Sequence, residues 1–245
     1  MALLKNAVDL LSCFTPSRSE LTVTEVAQLL GLPKSNVSRL MRAMSEVGML
    51  DAADRGRGYR LGQLLQDLGQ VARQGETFSA RASAAARHLS ESLGLTSYVS
   101  TLIGTHMVGL VHHVGSHHSQ VGAPLGGRLP ADACATGRAW LAELADAEVR
   151  ELLQNGVSKA TPQSPRHLGD LLERLQRVRE QGYAESMGEA ARGVEALAVA
   201  VRDGQTGERL TLCVTFESQS LNRAERQKAI DQLLSARKQL MRSNA

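Results

Sequence analysis

Hydrophobic residues recur at intervals of three and four in the first part of the chain and at every second position in two later stretches, which separates helical segments from strands. Ala7, Val8, Leu10, Leu11 and Phe14 predict a first helix ending near Thr15-Pro16, because proline cannot continue a helix. Thr22-Val23-Thr24-Glu25 has the form of a capping box, in which the threonine and glutamate side chains satisfy each other's backbone amides. A second helix therefore starts there, runs through Val26, Ala27, Leu29 and Leu30, and stops at Gly31. Pro33 suits the first turn of a third helix, whose apolar face is Val37, Leu40, Met41, Met44 and Val47. Residues 54–61, Asp-Arg-Gly-Arg-Gly-Tyr-Arg-Leu, predict a short hairpin with glycines at its turn.

Beyond residue 61 the rhythm changes twice. Leu64, Leu65, Leu68 and Val71 form one narrow stripe, so residues 62–76 read as a linker helix able to pack on a neighbour or on a second copy of itself. An Ala-rich helix over Phe78 to Leu93 is then followed by strands Thr96 to Ile103 and Met107 to Val114 around Gly104. Helices are predicted over Cys134 to Leu144, Asp146 to Gln154 and Leu168 to Glu180. Strands Val194 to Val201 and Leu210 to Phe216 come next, and a last helix runs from about Asn222 to Met241. Helices before and after an antiparallel sheet give an α+β class, with a helical head over 1–61, the linker over 62–76 and a sensor-like domain over 77–245.

Composition narrows the functions open to such a chain. The 28 basic and 25 acidic residues leave only +3, so a nucleic-acid surface has to be a local patch. Between Lys34 and Arg60 six basic residues (Lys34, Arg39, Arg42, Arg55, Arg57, Arg60) face three acidic ones (Glu46, Asp51, Asp54), a surplus of three that equals the total. Three Phe, three Tyr and one Trp are too few for a surface that stacks bases on rows of rings. Cys13, Cys134 and Cys213 are far apart and odd in number, which fits a reducing compartment and supplies no thiolate zinc framework. Lys5 and Asp9 interrupt what would be the apolar heart of a signal peptide, and a cytoplasmic protein with no membrane partner is expected.

The outer face of the third helix, Lys34, Ser35, Asn36, Ser38, Arg39 and Arg42, consists of hydrogen-bond donors. Two helices joined by a tight glycine turn, the second with a cationic face, predict a helix-turn-helix that inserts into the major groove of double-stranded DNA. The following hairpin would carry Arg55 and Arg57 to phosphates or into the minor groove, with Thr24 and Tyr59 as further contacts. Two other chemistries compete. His112, His113, His117 and His118 invite a metal-responsive reading, although strand alternation separates His112 from His113. Cys134, at a helix start, would sense oxidants if its pKa were lowered. No GxSxG, HExxH or P-loop is present, so neither an enzyme nor a bound metal or cofactor is expected.

Three stretches together resemble the IclR family of transcriptional regulators over essentially the whole chain. They are residues 21–42 with Tyr59-Arg60-Leu61-Gly62, residues 128–142 (Arg-Leu-Pro-Ala-Asp-Ala-Cys-Ala-Thr-Gly-Arg-Ala-Trp-Leu-Ala), and residues 182–193 leading into the strand from Val194. The resemblance implies a winged helix-turn-helix, a linker helix and a GAF-like effector domain, assembled as a homodimer or a dimer of dimers on a palindromic operator. It implies a small-molecule cavity whose anion end matches Ala135, Thr136 and Gly137, with Arg128 and Cys134 in the same stretch. The family's acidic ligand contact falls on Ser186, its cysteine on Ala196, and its pair of hydroxyls on Cys213 and Thr215. Members that bind glyoxylate-sized acids carry Asp, Cys and two Ser there, so the less polar lining here implies a larger or more apolar effector, such as an aromatic carboxylate. Trp140 and Phe216 are candidates for lining the cavity or for plain packing. Asp132, where the family has His, is open to two readings: a helix N-cap, or a charge that repels an anionic ligand.

Overall fold

A computed structural model describes residues 2–15, 18–53, 58–73, 77–116 and 126–242, with no account of the side chains of residues 2 and 70–73. The chain forms two compact units, Met1–Gly75 and Glu76–Ala245. Among the described residues no helix is long and apolar enough to cross a membrane.

The first unit contains α1 (Ala2–Leu11), β1 (Glu20–Leu21), α2 (Val23–Leu30), α3 (Lys34–Glu46), β2 (Leu50–Ala52), β3 (Tyr59–Leu61) and α4 (Gln63–Arg73). The capping box closes as its residues require: the Glu25 amide donates to the Thr22 hydroxyl at 3.3 Å, and the Thr22 amide donates to the Glu25 carboxylate at 2.7 Å. Gly31 ends α2 at φ 65°, a left-handed conformation that costs glycine nothing. Leu10, Val26, Val37, Met41 and Leu50 are fully withdrawn from water and lock the three helices to the strands. Val47 departs from the expected apolar face of α3. The helix stops at Glu46, so Val47 becomes its C-cap and is 59% exposed. β1 and β2 pair on either side of β3, a three-stranded sheet that the periodicity did not predict because strands of two or three residues carry no period.

The second unit comprises α5 (Phe78–Leu93), β4 (Thr96–Ile103), β5 (His106–His113), β6 (Arg128–Pro130), a 3-10 turn (Ala131–Ala133), α6 (Ala135–Leu141), α7 (Asp146–Leu152), α8 (Leu168–Gln181), β7 (Ala184–Met187), β8 (Val194–Arg202), β9 (Arg209–Glu217) and α9 (Arg223–Arg242). Its six strands form an antiparallel sheet in the order β6-β5-β4-β9-β8-β7. The unit is α+β. One face packs on α5 and α9 through Val99, Leu197, Val199, Leu212, Val214 and Phe216, each contributing about 1.5–3 kcal/mol by burial. The other face is small-residued, with Ala184, Ala196, Ala198, Ala200 and Cys213 beneath α6. Small side chains let the short helix lie close to the strands, and Gly137 lets it lie close to the preceding 3-10 turn, since a Cβ there would collide with the Ala131 backbone. Phe216 packs on the face opposite α6, so of its two readings plain packing is the one the structure supports.

Candidate functional site

In the first unit, α3 holds a row of polar side chains on its outer surface. Lys34, Ser35, Asn36, Arg39 and Arg42 are exposed, and Ser38 is half-buried. Arg39 Nη2 donates to Asn36 Oδ1 at 2.9 Å, one helical turn away, so the guanidinium is held against the helix instead of ranging freely. Thr24 is exposed on α2, and Tyr59 is half-buried on β3. Arg55 and Arg57 lie outside the described residues, in the segment joining β2 to β3.

In the second unit, sheet register brings several expected effector residues into line. Paired residues of neighbouring strands share a face, and Ser186 pairs with Ala196, which pairs with Thr215, which pairs with Thr96. The adjoining row is Ala184, Ala198, Cys213, Tyr98 and His112, and the next is Ala200, Thr211 and Ser100. Ala135 and Thr136 of α6 are buried with this face. Arg128 is not among them: it is exposed on β6, at the opposite edge of the sheet from β7. Trp140 is half-buried in the neighbouring apolar cluster around Met107 and Leu141, where the Arg209 guanidinium lies 5.5 Å from its ring centroid.

Tyr98 is the residue that periodicity missed. It is 4% exposed, and its hydroxyl is neighboured by the Cys213 thiol of the sheet and the Thr136 hydroxyl of α6. Burial, with the two nearby thiols adding to it, holds this phenol well above the usual tyrosine range, so it is a neutral group at any physiological pH. A lone tyrosine among Thr, Ser and Val was the available signal.

Two expectations about the turn before α6 are corrected. The N-cap is Cys134, whose sulfur accepts from the Gly137 amide at 3.3 Å, whereas Asp132 lies in the 3-10 turn and accepts from the Ser158 amide at 2.6 Å. Asp132 is thus tied to the loop beyond α7. Burial pushes the Cys134 thiol pKa up, outweighing the hydrogen bonds and the Arg138 charge that lower it. The reactive-thiolate reading needed the opposite shift. One turn into α6, Arg138 is 2% exposed and satisfied by Glu189 and by the carbonyl of Glu185, and Arg174 shares Glu189. The Glu185 carbonyl belongs to edge strand β7, so this arginine caps an otherwise open edge.

The histidines divide as strand alternation requires. His112 lies on the Tyr98 face, while His113 turns to α5, where its ring nitrogen is 3.4 Å from the Ser83 hydroxyl. His117 and His118 fall outside the described residues. Among the described residues no group of three or more His, Cys, Asp or Glu side chains is placed to hold a metal ion.

Comparison with known proteins covers both units. The family model for the IclR helix-turn-helix domain matches residues 3–54, and that for the bacterial transcriptional regulator IclR C-terminal region matches residues 60–242. The chain is 30% identical to the transcriptional repressor IclR of Escherichia coli over 206 residues, 82% of this chain and 74% of that one. An IclR transcriptional regulator from Alicyclobacillus acidocaldarius superposes with a TM-score of 0.85 at 25% identity, covering 100% of this chain and 98% of that one. An IclR homologue from Microbacterium hydrocarbonoxydans, solved in complex with 4-hydroxybenzoate, gives a TM-score of 0.82 at 20% identity with 97% of each chain covered.

Proposed function

This chain belongs to the IclR family of transcriptional regulators, and on that premise we propose that a small organic acid, aromatic in character, controls its affinity for double-stranded operator DNA. The exposed donor row of α3, mounted on a capped helix-turn-helix, carries the DNA-binding half of the reading. In this account Lys34, Ser35, Asn36, Ser38, Arg39 and Arg42 meet bases and phosphates of the major groove, while Thr24, Tyr59 and the hairpin arginines Arg55 and Arg57 contact the backbone or minor groove. Two copies act together. α1 exposes Leu3, Leu4 and Val8, and α4 exposes Leu64 and Leu68, apolar surface that a second copy would cover.

The effector half rests on the α6 face of the large sheet. Ser186, Ala196, Cys213 and Thr215, with Ala135, Thr136 and Gly137 opposite, offer few polar groups, which suits an aromatic ring better than a two-carbon acid. The 4-hydroxybenzoate complex of the Microbacterium homologue supports the same ligand class. Occupancy of the site shifts the balance between conformations with different operator affinity, and α4 links the two units.

A thermal-shift screen of small carboxylates, aromatic ones included, tests the effector, because a ligand of the folded state raises the melting midpoint by mass action. Thr136→Trp sets a bulky ring where α6 meets Tyr98 and the sheet. The variant should keep its DNA affinity and lose both the thermal shift and the ligand's effect on operator binding. A retained ligand response in Thr136→Trp would place the site elsewhere.

A further inference from the structure

We propose that the Tyr98 side chain is the resident occupant of the effector site, a phenol supplied by the chain itself, and that the ligand which replaces it is a single-ring phenol or aromatic acid. The inference rests on the effector site proposed above. In the rows Ser186–Ala196–Thr215–Thr96, Ala184–Ala198–Cys213–Tyr98–His112 and Ala200–Thr211–Ser100, Tyr98 and its neighbour His112 are the only large side chains. The Tyr98 ring lies over a floor of alanines, and its hydroxyl is neighboured by one polar group on the sheet and one on α6, Cys213 and Thr136. A ring clamped by methyl-sized neighbours, with polar groups at its hydroxyl end, is the arrangement expected of a bound phenol. Cys134 extends the polar end, since its thiol is 3.3 Å from the Thr136 hydroxyl. His112, the lateral neighbour of Tyr98, keeps a buried Nε2 with no partner among the described residues, a polar atom left for a ligand substituent such as a carboxylate.

Detaching the side chain tests this directly. Tyr98→Ala leaves a vacancy that p-cresol, the tyrosine side chain as a free molecule, fills. The variant should differ from the wild type in operator affinity by about five-fold or more, the lower end of typical coupling between sites. Millimolar p-cresol should return that affinity to the wild-type value and raise the variant's melting midpoint by more than it raises that of the wild type, whose site Tyr98 already fills. A p-cresol response in the midpoint with no change in operator affinity would make Tyr98 plain packing and overturn the proposal, as would the absence of either response. Should Tyr98→Ala fail to fold, Tyr98→Leu keeps most of the volume without the ring hydroxyl. Its operator affinity should shift in the same sense, and an affinity equal to wild type with unchanged circular dichroism would overturn the proposal. If the wild type itself binds none of its upstream DNA, the regulator reading fails; if every variant binds with wild-type affinity, only this inference does.

Discussion

Cys13, Cys134 and Cys213 are all buried, and burial raises each thiol pKa above its ordinary value. Thiolate is the reactive form, so none of the three should react readily with a thiol reagent at neutral pH until the chain unfolds. Colorimetric thiol titration of the native and urea-unfolded protein checks this, and a fast native reaction at Cys134 would revive the redox-responsive reading. The sign of the pH dependence follows from the same shifts. The unfolded chain releases thiol protons above about pH 8.5 while the folded chain retains them, so stability is fully present below that value and declines as pH rises. His112 acts at the other end: its pKa is lowered, chiefly by burial and secondarily by His113, so its contribution holds above about pH 6.5 and is lost on acidification. Denaturation midpoints measured from pH 5 to 10 should trace a plateau falling at both ends. At Glu189 the charge itself matters. It faces Arg138 and Arg174, and Glu189→Ala leaves a buried guanidinium unpaired at a cost of about 3 kcal/mol, measurable by urea denaturation.

At the scale of elements, the capping box before α2 makes the sharpest local claim. Thr22→Ala removes the side-chain half of the cap and should destabilise the first unit by about 1 kcal/mol, read from its denaturation curve. The same signals made these elements legible beforehand: cap, glycine stop and one-sided apolar stripe agree for α2 and α3, and the buried Val37, Met41 and Met44 are the residues that the stripe selected. The long strands β4, β5, β8 and β9 were legible from their β-branched runs. β1, β6 and β7 were not, because strands of two to four residues give no period to detect. α6 proved shorter than its apolar pattern suggested, ending at Leu141 with Leu144 beyond it. Tyr98 escaped notice for a different reason. β4 is buried on both faces over Thr96–Ser100, which erases the alternation that would have marked one side as the site.

Across the whole molecule, charge is distributed as its role requires. The net +3 of the chain equals the surplus between Lys34 and Arg60, whereas the second unit holds ion pairs such as Arg81 with Asp203 and Arg226 with Glu185 and Glu195. The division of labour follows: the first unit presents the exposed donors of α3 outward, and in the second the buried Arg138 and Glu189 pair beside the small-residued sheet face beneath α6. DNA recognition by α3 is the claim on which the rest depends. Its most direct test is fluorescence anisotropy of DNA from upstream of the protein's own coding sequence, titrated at one fixed salt concentration with wild type and Arg39→Ala. Loss of a base-reading arginine costs about 1–3 kcal/mol, so the variant should bind roughly 5- to 150-fold more weakly while unrelated DNA is affected far less. Equal affinity of the two proteins for that DNA would contradict the account.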